Sequence, residues 1–81
     1  MTDQGLKKYI VLNPNIMRGK PIFKGTRIPV NLIVKMMSQG MTRKSLLKEY
    51  PQLKPEHLSA ALRYAAIILS QEEVFPLRSS A

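Results

Sequence analysis

The stretch GKPIFKGTRIPV, residues 19–30, marks the place where the sequence changes from an extended pattern to a helical one. Its strand-forming residues are interrupted twice by glycine and twice by proline. Because glycine reaches backbone angles closed to other residues, we expect turns at Gly19 and Gly25. The stretch therefore predicts an extended, turn-rich arm that leads directly into a helix.

Upstream of this stretch, residues 9–12 (YIVL) are strand formers, and NPN at residues 13–15 is a strong turn signal. Proline fixes one backbone dihedral, and asparagine tolerates left-handed conformations. The pattern predicts two short strands or a hairpin, with the second strand near residues 21–23 or 26–28.

Three helices are predicted downstream. Apolar residues at positions 30, 33, 34 and 37 follow helical spacing, and Gly40 is placed to end that helix. Thr42 is a good N-cap for a second helix, which Pro51 stops. Pro55 suits the first position of a third helix, PEHLSAALRYAAIILSQ. One broad face of this helix is predicted to be buried and comprises Leu58, Ala61, Leu62, Ala65, Ile68 and Leu69.

These elements predict a mostly α fold, with a three-helix helix-turn-helix core and a short N-terminal β element or extended arm. We expect one domain at residues 9–71, divided into the arm (9–29) and the helices (30–71). A flexible N-terminus at residues 1–8 and a C-terminal tail at residues 72–81 are expected to flank it. The last helix of a helix-turn-helix can enter a DNA major groove, but many small helical domains share the pattern without touching nucleic acid.

The charge of the chain is strongly positive and unevenly distributed. The net charge is +8, from 13 basic and five acidic side chains. Residues 1–54 carry a net +9, whereas residues 55–81 carry a net −1. Such an excess favours a polyanionic or acidic partner, because a basic surface attracts phosphates and carboxylates at long range. A basic domain with no polyanion partner is the alternative.

Several function classes are disfavoured by composition. The chain has no cysteine and one histidine, His57, so disulfides and a metal site are not expected, and we predict no cofactor. The few carboxylates include no pair spaced one helical turn apart, so the chain is predicted to be a binder and not an enzyme. We see no signal peptide and no apolar run long enough to span a bilayer, and we expect a cytoplasmic protein.

The order of four motifs, NPNI at residues 13–16, GKPIFKGTRIPV at 19–30, GMT at 40–42 and YPQL at 50–53, resembles the family catalogued as domain of unknown function 433. The resemblance extends from about residue 9 to about residue 69. It implies a homeodomain-like helix-turn-helix fold that is commonly dimeric. It also implies the role of a VapB-like antitoxin in a type II toxin–antitoxin pair, which binds a PIN-like ribonuclease toxin and represses its own operon. Lys54 departs from the family, which more usually has a capping Ser or Thr before the third helix.

Candidate DNA contacts follow from the interpretation of the three helices as a helix-turn-helix. The first helix of such a motif crosses the DNA backbone, and the second presents side chains to base edges. The predicted phosphate contacts are Lys20, Lys24, Arg43, Lys44 and Lys54. The predicted base contacts are His57, Ser59, Ala60 and Arg63. For any one of these residues, a solvated surface position is the alternative.

Arg27 has two interpretations: it braces the arm by hydrogen bonds to backbone carbonyls or to Glu49, or it contacts DNA phosphate. We expect the structural role.

Two further surfaces are predicted to contact protein. The candidate dimer residues are Leu32, Met36, Tyr64 and Ile67, with burial inside one copy as the alternative. In the tail, Phe75, Leu77 and Arg78 are candidates for the toxin contact.

The sequence thus supports two main hypotheses, and a nuclease accessory or catalytic domain is a third that the composition disfavours. In the first, the chain is a dimeric antitoxin that binds operator DNA and neutralises a ribonuclease. In the second, it is a protein-interaction module that binds an acidic partner and uses its helix-turn-helix only as a scaffold.

Overall fold

The structure is a computed structural model that describes residues 3–71 of the 81-residue chain, apart from the side chains of residues 3, 4 and 17. In chain order, its elements are α1 (Asp3–Leu6), β1 (Ile10–Leu12), a 3-10 turn (Met17–Gly19), β2 (Pro21–Phe23), α2 (Val30–Ser38), α3 (Arg43–Glu49) and α4 (Pro55–Gln71). The fold is mostly α, with three longer helices and a small antiparallel sheet near the N-terminus, as the sequence predicts.

The sheet is a hairpin of two three-residue strands. Ile10 lies opposite Phe23, and Leu12 lies opposite Pro21. The connection between the two strands begins with the predicted turn at residues 13–15. In this turn the Asn13 side-chain oxygen accepts a hydrogen bond from the backbone N–H of residue 15, at 2.9 Å. Gly19, with φ +79°, returns the chain toward β2.

A second turn, at residues 23–26, connects the sheet to the helices. Gly25 has φ +81°, a left-handed conformation that favours glycine. The Thr26 hydroxyl donates to the Phe23 carbonyl at 2.8 Å and accepts from the Ile28 N–H at 3.0 Å. The Phe23 N–H in turn donates to the Ile28 carbonyl at 3.0 Å. These bonds return residues 26–29 alongside β2 and deliver the chain to α2.

The two following helix boundaries are set by local hydrogen bonds. At the end of α2, Gly40 has φ +95°, its N–H donates to the Met37 carbonyl, and the Met41 N–H donates to the Met36 carbonyl, both at 3.1 Å. This is a Schellman motif, which satisfies carbonyls that the helix leaves without partners. At the start of α3, the Thr42 hydroxyl accepts the Ser45 N–H at 3.1 Å, as an N-cap does.

The core lies between the hairpin and the three longer helices. Its buried members are Leu6, Ile10, Phe23, Val30, Ile33, Leu46, Leu53, Leu58, Ala60 and Ala61. Within the segment expected to be a flexible N-terminus, residues 1–8, Leu6 is 7% exposed. A hydrogen bond from the Tyr9 N–H to the Leu6 carbonyl closes the turn after α1, and the Leu6 side chain packs in the core.

The buried face of α4 also differs from the prediction. Leu58 and Ala61 are fully buried, but Leu62, Ile68 and Leu69 are 43%, 37% and 60% exposed. α4 has 17 residues, against nine in α2 and seven in α3. At a rise of about 1.5 Å per residue, α4 extends beyond the helices that pack against it, so part of its apolar surface has no neighbour to bury it.

Candidate nucleic-acid interface

Three cations of the stretch GKPIFKGTRIPV are exposed, in contrast to its buried or turn-forming residues. Lys20, Lys24 and Arg27 take part in none of the side-chain hydrogen bonds between the described residues. The predicted structural brace from Arg27 is therefore wrong, because the turn is closed by Thr26 instead. Within the described residues these three side chains thus remain available for a further contact.

His57 caps α4 from inside the helix. Its Nδ1 accepts a hydrogen bond from the backbone N–H of Lys54 at 2.9 Å. This is the half of a capping box usually supplied by Glu or Gln at the same position, and it offsets the missing Ser or Thr at residue 54. The His57 ring also makes edge contacts with the rings of Tyr9 and Phe23, with centroids 5.2 and 5.7 Å away.

These contacts change the role predicted for His57. An accepting Nδ1 places the ring proton of the neutral imidazole on Nε2, so only Nε2 remains for an outside contact. The sequence prediction of a base contact missed this structural role. The signal that could have found it is the position of His57 three residues after the N-cap.

The start of α3 and the second turn of α4 form one surface. Arg43 Nη1 donates a long hydrogen bond to Ser59 Oγ, at 3.5 Å. Arg63 is exposed and lies one helical turn after Ser59, on the same side of α4. The structure thus brings together three of the predicted DNA contacts.

Ala60 does not belong to this surface. It is 0% exposed and packs in the core beside Ala61, so the prediction that it reads a base is wrong. The physical reason is that the face of α4 that packs on the rest of the domain includes residue 60. The apolar pattern of the helix did not determine which face packs there.

Five exposed cations lie in α3, in the connection between α3 and α4 and in the turn after β2, and we call them the basic rim: Lys24, Arg27, Arg43, Lys44 and Lys54. Lys24 follows Phe23, whose ring contacts His57 in the first turn of α4. Arg27 lines a shallow concavity together with Gln52, in the connection between α3 and α4. Lys20 lies elsewhere, in a groove between α2 and the last turns of α4.

The four predicted dimer residues are half-buried in one copy of the chain. Met36, Tyr64 and Ile67 pack against the core, so their apolar character has an explanation inside the domain. Leu32 is not part of that packing. The predicted toxin contacts Phe75, Leu77 and Arg78 lie outside the described residues.

Among residues 3–71, no group of three or more His, Cys, Asp or Glu side chains is placed to hold a metal ion. Within the same residues, no helix combines the length and the apolar character needed to cross a bilayer.

Comparison with known proteins gives a family and a fold. The model of a family described as "Protein of unknown function (DUF433)" matches residues 10–65. The crystal structure of a DUF433 member protein from Anabaena variabilis ATCC 29413 is 38% identical, with a TM-score of 0.74, and the match covers 84% of this chain and 67% of that one. The uncharacterized protein y4eO of Sinorhizobium fredii is 29% identical over 59 residues, which are 73% of this chain. The chain spans 27% of the length of that relative.

Proposed function

We propose that this chain, which belongs to the DUF433 family, is a DNA-binding antitoxin that represses its own operon. The observation that carries the DNA-binding part is the exposed basic rim, whose Arg43 is hydrogen-bonded to Ser59 of α4. A repressor of this kind acts on the chromosome in the cytoplasm.

The basic rim suits the phosphate backbone. Arg43 and Lys44 lie in the first turn of α3, where the helix dipole favours acidic side chains. Contact with phosphate would offset the unfavourable interaction of these two cations with the dipole. In a helix-turn-helix complex, the helix in this position crosses the backbone. If all five rim cations replace counterions, log K against log salt has a slope of about −4.5 for one domain.

Base reading in this proposal rests on Ser59 and Arg63. Arginine pairs with guanine through two parallel hydrogen bonds to O6 and N7, and serine contacts either donors or acceptors. Arg43 is joined to Ser59 by a hydrogen bond, so a phosphate held by Arg43 would fix the register of Ser59 over the base edges.

The antitoxin part of the proposal is supported by the family resemblance of the motifs. The toxin would be a PIN-like ribonuclease. A cationic protein is complementary in charge to the acidic active site of such an enzyme. We assign the contact with the toxin to Phe75, Leu77 and Arg78. We assign the interface of a homodimer to Leu32, Met36, Tyr64 and Ile67.

One observation favours a second candidate, a protein-interaction module without specific DNA binding. Between Ser59 and Arg63 on the exposed side of α4 lies Leu62, which is 43% exposed. With Ala60 buried and Leu62 apolar, Ser59 and Arg63 are the hydrogen-bonding side chains left there to distinguish one base from another. The same surface would suit an acidic protein partner with an apolar contact at its centre.

The test is a fluorescence-anisotropy titration of the full chain against the DNA upstream of its own gene and against a scrambled duplex, at several salt concentrations. The antitoxin proposal predicts a preference for the upstream duplex by a factor of about a thousand or more. Equal binding to both duplexes, lost steeply as salt rises, would mean that charge alone acts, and would favour the second candidate.

A further inference from the structure

A groove runs between α2 and the last two turns of α4, on the side of the molecule that Lys20 occupies. Val30 and Val34 of α2 form one wall, and Ala65, Ile68 and Leu69 of α4 form the other. The groove has a volume of about 650 Å³, within the usual range for binding clefts. We call it the α2–α4 groove.

The α4 wall of the groove is apolar and incompletely covered. Ile68 and Leu69 are 37% and 60% exposed, and residues 64–71 (YAAIILSQ) contain no charged side chain. An apolar surface of this kind on a soluble domain generally marks a contact with another segment.

Cations flank this apolar wall. Lys20 and Lys35 line the α2–α4 groove, and Lys7 lines the neighbouring concavity, which includes Gln71 at the end of α4. No carboxylate within the described part of the chain lines either of them. The fitting occupant therefore combines apolar side chains with nearby negative charge.

We propose that the occupant is the segment of this same chain at residues 72–77, whose sequence is EEVFPL. It follows Gln71 directly in the sequence, and Gln71 ends α4 and lines the concavity that also holds Lys7. Carboxylates next to the C-terminal end of a helix are unfavourable, so Glu72 and Glu73 gain from contact with cations, and Lys7 and Lys20 line the two concavities beside the last turns of α4. Val74, Phe75 and Leu77 supply apolar side chains for the groove.

The length of the segment is sufficient. Six residues span up to about 20 Å when extended, whereas the α4 wall from residue 65 to residue 69 rises about 6 Å along the helix. A turn at the two glutamates thus leaves enough chain to lie along the wall, and Pro76 disfavours continuation of the helix instead. This proposal does not depend on DNA binding. In the antitoxin picture, the groove and the toxin compete for Phe75 and Leu77.

The test uses the full chain. Because the chain has no cysteine, Ser80→Cys provides a unique site for a nitroxide spin label. The proposal predicts a several-fold loss of NMR signal intensity at Val34 and Leu69, relative to the reduced label, with Leu47 of α3 as the unaffected reference. The double substitution Phe75→Ser and Leu77→Ser, made in the labelled chain, is expected to restore the intensities. Equal intensities at all three reporters before that substitution would overturn the proposal.

A mixing experiment identifies which copy supplies the segment. Labelled chain of natural isotope abundance is mixed with unlabelled ¹⁵N chain, and the intensities at Val34 and Leu69 are expected to stay unchanged. Loss of intensity in the mixture would assign the groove to the tail of a second copy and overturn the proposal as stated.

A charge reversal tests the role of the lysines. Lys20→Glu with Lys35→Glu is expected to release the segment and restore the intensities. Lys48→Glu, an exposed position on α3 outside the groove, is the matched control and is expected to leave them low. The same result from both variants would contradict the specific pairing of charges.

Discussion

The substitution His57→Ala is expected to lower stability strongly, although His57 lies on the helix that faces DNA in the proposed function. It removes the hydrogen bond from the Lys54 N–H to Nδ1, worth about 1 kcal/mol. It also removes two ring contacts, to Tyr9 and Phe23, worth about 0.5–1.5 kcal/mol each. The expected loss in the free energy of unfolding is therefore about 2–4 kcal/mol. For a domain of this size, a loss of about 3 kcal/mol lowers Tm by roughly 12–24 °C.

The assay is urea unfolding followed by far-UV circular dichroism, with a matched variant that separates the two contributions. His57→Glu restores a side chain that accepts the N-cap N–H, and its charge suits the helix start, but it restores no ring contact. We expect His57→Glu to recover about 1 kcal/mol of the loss caused by His57→Ala. A free energy of unfolding for His57→Ala within 0.5 kcal/mol of the unsubstituted chain would refute the structural role of this side chain.

The same unfolding assay checks three further predictions. Thr26→Val keeps the shape but removes both hydrogen bonds of the hydroxyl, and should cost about 1–3 kcal/mol; no change would show that the turn does not depend on them. Gly40→Ala places a side chain at φ +95° and should cost about 1 kcal/mol, whereas a gain in stability would contradict the left-handed cap. Leu58→Ala should cost about 2–5 kcal/mol and Leu62→Ala under about 1 kcal/mol; equal losses would contradict the direction of the α4 face.

The helix boundaries could be predicted because their signals are local. Gly40, Thr42 and Pro55 each act on backbone groups within a few residues, and the hydrogen bonds at the first two confirm their assignments as a C-terminal and an N-terminal cap. The family resemblance of the motifs is confirmed by the match over residues 10–65.

The remaining features depend on contacts between distant parts of the chain. His57 has its ring partners at Tyr9 and Phe23, more than 30 residues away, so no local pattern indicated its packing. Ala60 is buried where exposure was predicted, and Leu62 is exposed where burial was predicted. The reason is that α4 is apolar around much of its circumference, so only the placement of α2 and α3 decides which side is covered. Leu6 is a single apolar residue in a polar segment, too sparse a signal to predict burial.

The measurement that tests the proposed interface most directly compares Arg63→Ala and Arg43→Ala by anisotropy titration, on the upstream and scrambled duplexes, over a range of salt concentrations. If Arg63 reads a base, its removal costs about 1–3 kcal/mol on the upstream duplex and little on the scrambled one. Removal of Arg43, a phosphate contact, weakens binding to both duplexes and makes the salt slope shallower by about 1. Loss of equal size on both duplexes for Arg63→Ala, or no loss for either variant, would contradict base reading from this surface of α4.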